Sequence, residues 1–302
     1  METIQRSIMR HRLVLGALGV MRAYDRAGGG MLAGGLSYFG FFTVVPALLL
    51  FVSLLGVLIE DAALRADLID GLIGQLDPLN PVATAVIDGL AGSGRTGTVV
   101  GVLGLLWGGS GFYGALQGSM QRMFPGPGIR DFFRTRLRGI LAVVLILGSM
   151  LSAVLLLFVL PTVADWLTTV CKGLTEFDTQ LAEGICAVDV GRVGDAVGPV
   201  AAMGVAFLAA MFVYVAIPPD GPNVRQAFVP AIIAGIGIGL LTSLFGWVAP
   251  LLVRNFSGLG VVGSVFIALI WFNLVFQFLL YGAAIARLRR DRDRTRSGPP
   301  SF

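Results

Sequence analysis

Six long apolar segments constrain this sequence more than any other feature. They cover about 31–59, 97–122, 137–164, 196–217, 227–253 and 259–286, and none has a charged residue in its middle third. A helix needs about 20 apolar residues to cross the hydrocarbon of a bilayer. Because lipid satisfies no backbone polar group, such segments cross it as helices. The pattern predicts an all-α membrane protein, a six-transmembrane-helix bundle.

Composition agrees with this class. Of the 302 residues, 56% are hydrophobic and 13% are charged, whereas a soluble domain carries about 25% charged residues. We expect a cytoplasmic segment at 1–30, a membrane domain at 31–286 and a basic cytoplasmic tail at 287–302. A soluble enzyme is not expected.

Basic residues predict the orientation. With the N-terminus inside, 17 of the 22 Lys and Arg residues lie on cytoplasmic pieces and 5 lie outside. Cytoplasmic loops collect Lys and Arg. We therefore expect a multi-pass protein of the cell inner membrane with both termini in the cytoplasm.

Two stretches outside the spans have helical periodicity. Residues 1–30 are interpreted as an amphipathic helix on the membrane surface, with a partly disordered tail as the alternative. In the first outside loop, leucines such as Leu64, Leu68 and Leu72 recur at helical spacing, which predicts amphipathic helices there. Cys171 and Cys186 lie in the other outside loop, where either a disulfide or two free thiols is compatible with the sequence.

Small residues form a stripe along the second span. They recur at 4-3-4-3 spacing at Gly97, Gly101, Gly104, Gly108, Gly111, Ala115 and Gly118. In membranes such stripes allow close packing of helices, within one chain or between the subunits of a homo-oligomer. Pro46, at the centre of the first span, predicts a kink, either structural or part of a binding site.

Polar side chains gather toward the cytoplasmic half of the spans. Asn273, Gln277 and Tyr281 share one face of the sixth span, and Gln117 and Gln121 share a face of the second. Unpaired amides in hydrocarbon are unfavourable, so these faces line a polar vestibule open to the cytoplasm or hydrogen-bond between helices. Candidate substrate-binding residues are Tyr38, Gln117, Gln121, Asn273, Gln277, Tyr281, Arg122, Arg134 and Arg225. The arginines suit phosphate, although the positive-inside rule alone also explains them.

The sequence contains little that could perform catalysis. His11 is the only histidine, and no metal-ligand motif, nucleotide-binding loop or catalytic triad is present. We expect no catalytic residues, no metal and no cofactor. The basic tail is alternated with acids, which favours membrane lipids, including anionic ones, over nucleic acid as partners.

Several segments resemble the YihY/BrkB family of bacterial inner-membrane proteins. They are LAGGLSYFGFFTVVPALLLFVSLLG in the first span, LLWGGSGFYGALQGSMQRMF at 105–124, RDFFRTRLRG at 130–139, VYVAIPP at 213–219 and the stretch at 259–289. The resemblance covers about 20–289. It implies six spans with both termini cytoplasmic. Members were once labelled ribonuclease BN, an activity that this sequence does not support, and others have been associated with serum resistance and lipid or envelope-precursor export.

Three functions fit these observations. The leading hypothesis is transport of a lipid or an anionic amphiphilic envelope precursor through the cytoplasm-facing vestibule. The alternatives are a channel or carrier for a small polar solute, and a non-transporting scaffold that maintains envelope integrity.

Overall fold

The computed structural model describes residues 2–58, 94–126, 190–255 and 260–296, and every regular element in these ranges is an α-helix. The helices are α1 (Glu2–Arg26), α2 (Gly29–Leu58), α3 (Gly94–Met123), α4 (Val190–Ala216), α5 (Val224–Asn255) and α6 (Gly260–Arg296). The all-α prediction is confirmed for this part of the chain.

Five of the six predicted spans coincide with described helices, namely α2 to α6. By length and composition, three stretches are long and apolar enough to cross a membrane: Gly29–Ala47, Val224–Leu252 and Val262–Thr295. Met203–Ala216 in α4 is a shorter apolar helix. The predicted span at 137–164, the helices of the first outside loop, and Cys171 and Cys186 lie outside the described residues, so the six-span count stays a prediction.

A single glycine turns the chain between α1 and α2. Gly28 has a φ of 73°, a left-handed conformation that favours glycine, and its N–H donates to the carbonyl of Asp25 at 2.9 Å. The turn brings Gly29 against the Tyr24 ring, where a Cβ would overlap the ring atoms. The first helix therefore folds back onto the bundle through its last turn.

From Val14 onward, where its side chains are described, helix α1 packs on α6 through one side. Ala23 and Tyr24 are buried there, whereas Val14, Leu18 and Met21 are exposed. Apolar residues thus occupy both the packed and the exposed sides. The surface location expected for this segment stays a prediction.

The glycine stripe packs α3 antiparallel against α2. A Cβ on Gly104 would lie 2.9 Å from Cγ of Pro46, and one on Gly111 would lie 2.7 Å from the Phe39 ring. Between them, a Cβ on Gly108 would overlap the carbonyl oxygen of Phe42. Pro46 has no N–H to donate to that carbonyl. The α-carbon of Gly108 therefore approaches α2 at the carbonyl that the proline leaves without its helical partner.

The stripe does not pack along its whole length. Gly101 is buried, but a Cβ on Gly118 would meet no atom of the described residues within 4 Å. The surroundings of Gly97 are outside the described part of the structure. The packing role predicted for the stripe is thus observed at its centre, around Pro46.

Helices α4, α5 and α6 form the second part of the bundle. A Cβ on Gly235 would lie 2.9 Å from the Phe207 backbone, so α5 meets α4 closely. The hydroxyl of Tyr214, which is fully buried, donates to the carbonyl of Leu279 at 2.6 Å and joins α4 to α6. The same core cluster includes Leu36, Met120 and Phe124 and so continues to α2 and α3.

The last helix extends beyond the predicted membrane boundary. The sequence places a basic tail after Ala286, and the structure continues α6 without a break to Arg296. Contacts between this extension and the α4–α5 connection, described below, give the physical reason.

Replacing Gly108 with alanine tests the close approach of α2 and α3. The added methyl group would collide with the Phe42 carbonyl, and overpacking of this kind destabilises a fold by about 1–3 kcal/mol. Thermal unfolding of the purified protein in detergent measures the effect. Gly114→Ala is the matched control, since a Cβ there meets nothing within 4 Å in the described part of the chain. Equal melting temperatures for the two variants would contradict this account.

Candidate functional site

One face of α6 changes from apolar to polar along its length. Val262, Phe266 and Ile270 are 58%, 60% and 51% exposed, and Asn273, Gln277 and Tyr281 continue the same face toward the arginine-rich end. Spacings of 4, 4, 3, 4 and 4 residues keep all six side chains on one side of a helix with 3.6 residues per turn. We call the first three the apolar half of the α6 face and the last three its polar half.

The two amides of the polar half bind each other. Nε2 of Gln277 donates to Oδ1 of Asn273 at 2.6 Å, as residues one turn apart can. Both side chains are partly exposed. Nδ2 of Asn273 and Oε1 of Gln277 have no hydrogen-bond partner among the described residues. One donor group and one acceptor therefore stay available on this face.

Helix α2 flanks the amide pair. Gly34 of α2 lies beside it, because a Cβ on Gly34 would lie 3.8 Å from Nδ2 of Asn273. Tyr38 follows one turn later on the same side of α2, 47% exposed, with its ring against Phe39 and Phe42. Tyr38 makes no hydrogen bond with either amide, so only Gly34 is shown beside the pair.

Tyr281 contacts α1. Its ring stacks on Tyr24 with centroids 4.1 Å apart and an interplanar angle of 15°. Burial, together with the neighbouring Tyr281 and Asp25, raises the pKa of Tyr24 to about 12. The sequence interpretation missed Tyr24, since no periodic pattern links an N-terminal segment to a residue of the last span.

The polar face of α3 does not meet that of α6. Gln117 and Gln121 lie on the side of α3 that carries Leu103, 62% exposed, and Trp107, 66% exposed. Phe112 points from the opposite side, and its ring contacts Phe276 of α6 with centroids 5.7 Å apart. The structure therefore brings Asn273 and Gln277 together but places Gln117 and Gln121 on a separate face.

Two of the three candidate arginines lie within the described residues. Arg122 is in the last turn of α3 and Arg225 is in the first turn of α5, and both are exposed. Arg134 lies outside the described residues. The two exposed guanidinium groups are at the end of the bundle where α6 also carries its arginines.

At this end the structure shows an ion-paired cluster that the sequence did not predict. Arg294 donates to both carboxylate oxygens of Asp220, at 2.7 and 3.3 Å, and Arg290 donates to the Asp220 backbone carbonyl. Arg290 is only 4% exposed, and its guanidinium lies 5.5 Å from the centroid of the Phe124 ring. We call Asp220, Arg290 and Arg294 the clasp.

The loop that carries Asp220 is itself fixed. The N–H of Asn223 donates to Oε1 of Gln226 at 3.0 Å, which is half of a capping box at the start of α5. Nε2 of Gln226 donates to Asp293 of α6 at 2.8 Å. The hydrogen bond from Arg294 holds the pKa of the Asp220 carboxyl below its ordinary value. The Asp220 carboxyl is therefore ionised at neutral pH.

Comparison with known proteins decides the family. The family model described as Virulence factor BrkB matches residues 20–301. The chain belongs to the BrkB family. No curated protein and no solved structure matches it. BrkB membership and the apolar helices make the chain a membrane protein.

In this BrkB-family chain, the described side chains offer several groups that can bind a ligand. Among the described residues no group of three or more His, Cys, Asp or Glu side chains is arranged to hold a metal ion. Amides with a free donor and acceptor suit a hydroxyl, amide or phosphate group, and exposed guanidinium groups suit an anion. The apolar half of the α6 face suits an acyl or isoprenoid chain.

Acidification tests the ion pair between Asp220 and Arg294. Asp220 has a lowered pKa in the folded protein, so its contribution is present above the ordinary value of 3.8 and is lost as pH falls through the folded value. Asp220→Asn should lower the melting temperature by about 1–3 °C above about pH 5, and the difference should shrink below about pH 4. Melting curves of both proteins across this range measure it. A difference that grew on acidification would contradict the assignment.

Proposed function

We propose that this BrkB-family protein transports an amphiphile, a lipid or an anionic lipid-linked envelope precursor, from the cytoplasmic leaflet of the inner membrane outward. The observation that carries the proposal is the α6 face. Its polar half and apolar half lie in line, as a head group and its chain do in a molecule that must cross a bilayer.

The polar half would contact the head group. Nδ2 of Asn273 and Oε1 of Gln277 are unpaired in the described part of the chain, and an unmade hydrogen bond in a weakly solvated site is unfavourable. A head group with hydroxyl or phosphate oxygens would accept from Asn273 while a hydroxyl donates to Gln277. Because glycine stands at position 34, α2 leaves room beside Asn273 for such a group.

The arginines would attract anionic head groups to this end. Arg122 and Arg225 are exposed near the ends of α3 and α5, and the guanidinium fork matches phosphate geometry. The same charges support a cytoplasmic location of this end under the positive-inside rule. Orientation and anion capture are compatible roles for one set of residues.

The face argues for an amphiphile over a small polar solute. A channel or carrier selects a polar solute with hydrogen-bonding or charged groups that line its path. Val262, Phe266 and Ile270 instead continue the face as exposed apolar side chains. An amphiphile matches this order of side chains better, because its acyl or isoprenoid chain can contact the apolar half while its head group binds the amides.

No enzymatic role is included in the proposal. Within the described ranges the polar groups of the α6 face are amides and a phenol, which bind and orient ligands but are poor general acids or bases at neutral pH. A ribonuclease would need groups that activate a nucleophile and stabilise a phosphorane-like transition state. The amide pair does not supply them.

Reconstitution into liposomes tests the proposal. The protein should accelerate leaflet exchange of a fluorescently labelled anionic phospholipid, measured by quenching of the outer-leaflet label. The double variant Asn273→Leu with Gln277→Leu should slow this exchange by about 10- to 30-fold, because two hydrogen bonds at about 1 kcal/mol each are lost.

Thr242→Val is the matched control. It removes a polar group from a span, but the Thr242 hydroxyl donates to the Ile238 carbonyl of its own helix, α5, at 2.8 Å. Exchange should stay near the wild-type rate. Unchanged exchange in the double variant, with a lowered melting temperature, would instead support the scaffold, in which the amides only stabilise the bundle.

A further inference from the structure

We propose that the clasp is a gate: the bond of Asp220 to Arg290 and Arg294 holds the arginine-rich end of the bundle closed, and its release exposes the interior between α3 and α6. This inference goes beyond the proposed function, because it concerns access to the interior and not the identity of what is moved.

The clasp joins three separate parts of the chain. Arg290 and Arg294 are on the extension of α6, Asp220 is on the α4–α5 connection, and Phe124 follows the end of α3. The connection also touches Gly126, where a Cβ would overlap the Asp220 carboxylate. Movement of Asp220 therefore alters the contacts of α3 and α6 together.

A buried apolar layer adjoins the clasp. Met120 and Met123 are 0% exposed and Phe124 is 1% exposed. Leu280 and Ile217 belong to the same core cluster. Because the Phe124 ring lies against the Arg290 guanidinium, this layer begins at the clasp.

The two arginines have different surroundings, which suits a reversible closure. Arg294 is 54% exposed, and an exposed ion pair is a weak contact that can be exchanged for water or another anion. Arg290 is buried, with its guanidinium bonded to the Asp220 carbonyl and to the carboxylate of Asp291 at 3.0 Å. A buried guanidinium that lost an acceptor would be strongly disfavoured.

These surroundings give the end of the bundle two arrangements. In one, Asp220 binds both arginines and the apolar layer is sealed. In the other, Arg294 has exchanged its carboxylate for water or an anion, and Arg290 turns outward with the Phe124 segment that its guanidinium covers. Positions between these two would leave the Arg290 guanidinium buried without the Asp220 carbonyl as an acceptor, and they are therefore disfavoured.

A cysteine reporter measures the closure without any transport assay. Ser119, 2% exposed, lies on the packed side of α3 beside Met120, and Ser119→Cys is close to isosteric. In a background with Cys171→Ser and Cys186→Ser, labelling of this cysteine by a membrane-impermeant maleimide reports access from water. With an intact clasp, labelling should be slow.

Breaking the clasp should accelerate labelling at least tenfold. Asp220→Asn removes the negative charge from the α4–α5 connection. Arg294→Gln removes the exposed ion-pair partner of Asp220 and leaves residue 290 unchanged. Asp25→Asn is the matched control: it removes an exposed acid of α1 whose side chain takes part in no hydrogen bond or ion pair within the described part of the chain. Labelling in this control should match the parent protein.

The possible outcomes distinguish a gate from an ion pair that does not control access to the interior. Fast labelling in the two clasp variants supports the gate if their melting temperatures stay near that of the parent. The charge swap Asp220→Arg with Arg294→Asp should then restore slow labelling. Slow labelling in Arg294→Gln, whose exposed side chain can be lost without unfolding, would overturn it. Equal acceleration by Asp25→Asn would also overturn it. None of these results depends on whether lipid exchange is observed.

Discussion

Close approach of helix backbones is the constraint on which this bundle depends. In hydrocarbon, apolar side chains gain little by leaving lipid for a neighbouring helix, so association relies on van der Waals contact and hydrogen bonds. Gly108 provides such contact at the Phe42 carbonyl, which Pro46 leaves without a helical donor. A proline that weakens α2 and a glycine that lets α3 reach the weakened point therefore act together. The pair helps to fix the position of α2, which places Gly34 beside Asn273 of α6.

The position of α2 in turn determines what the α6 face can do. Gly34 adds no side chain beside Asn273, and Gly40 lies against Phe276, where a Cβ would be 3.1 Å from the ring. Small residues on α2 thus bring the helix close to α6 at Phe276 while leaving the amide pair partly exposed. Had α2 carried larger residues at these positions, Asn273 and Gln277 would be separated from α2 or covered by it.

Periodicity predicted the helices and which side chains share a face of each helix, but not which faces meet. The spacing of Gly104, Gly108 and Gly111 follows from 3.6 residues per turn, as does that of Asn273, Gln277 and Tyr281. Whether Gln117 meets Gln277 depends on the rotation of α3 about its own axis, and packing of Phe112 on Phe276 sets that rotation. Contacts such as Asp220 with Arg294, 74 residues apart, leave no trace in a local pattern.

The extension of α6 illustrates how a charge pattern can support two different interpretations. The sequence RLRRDRDRTR was assigned to lipid head groups because basic residues alternate with acids. In a helix that alternation distributes the charges over several faces. Arg290 turns inward to Phe124 and the Asp220 carbonyl, Arg294 reaches the Asp220 carboxylate, and Asp293 accepts from Gln226. Arg292 is exposed, so the extension can tie the bundle together and still carry positive charge on its surface.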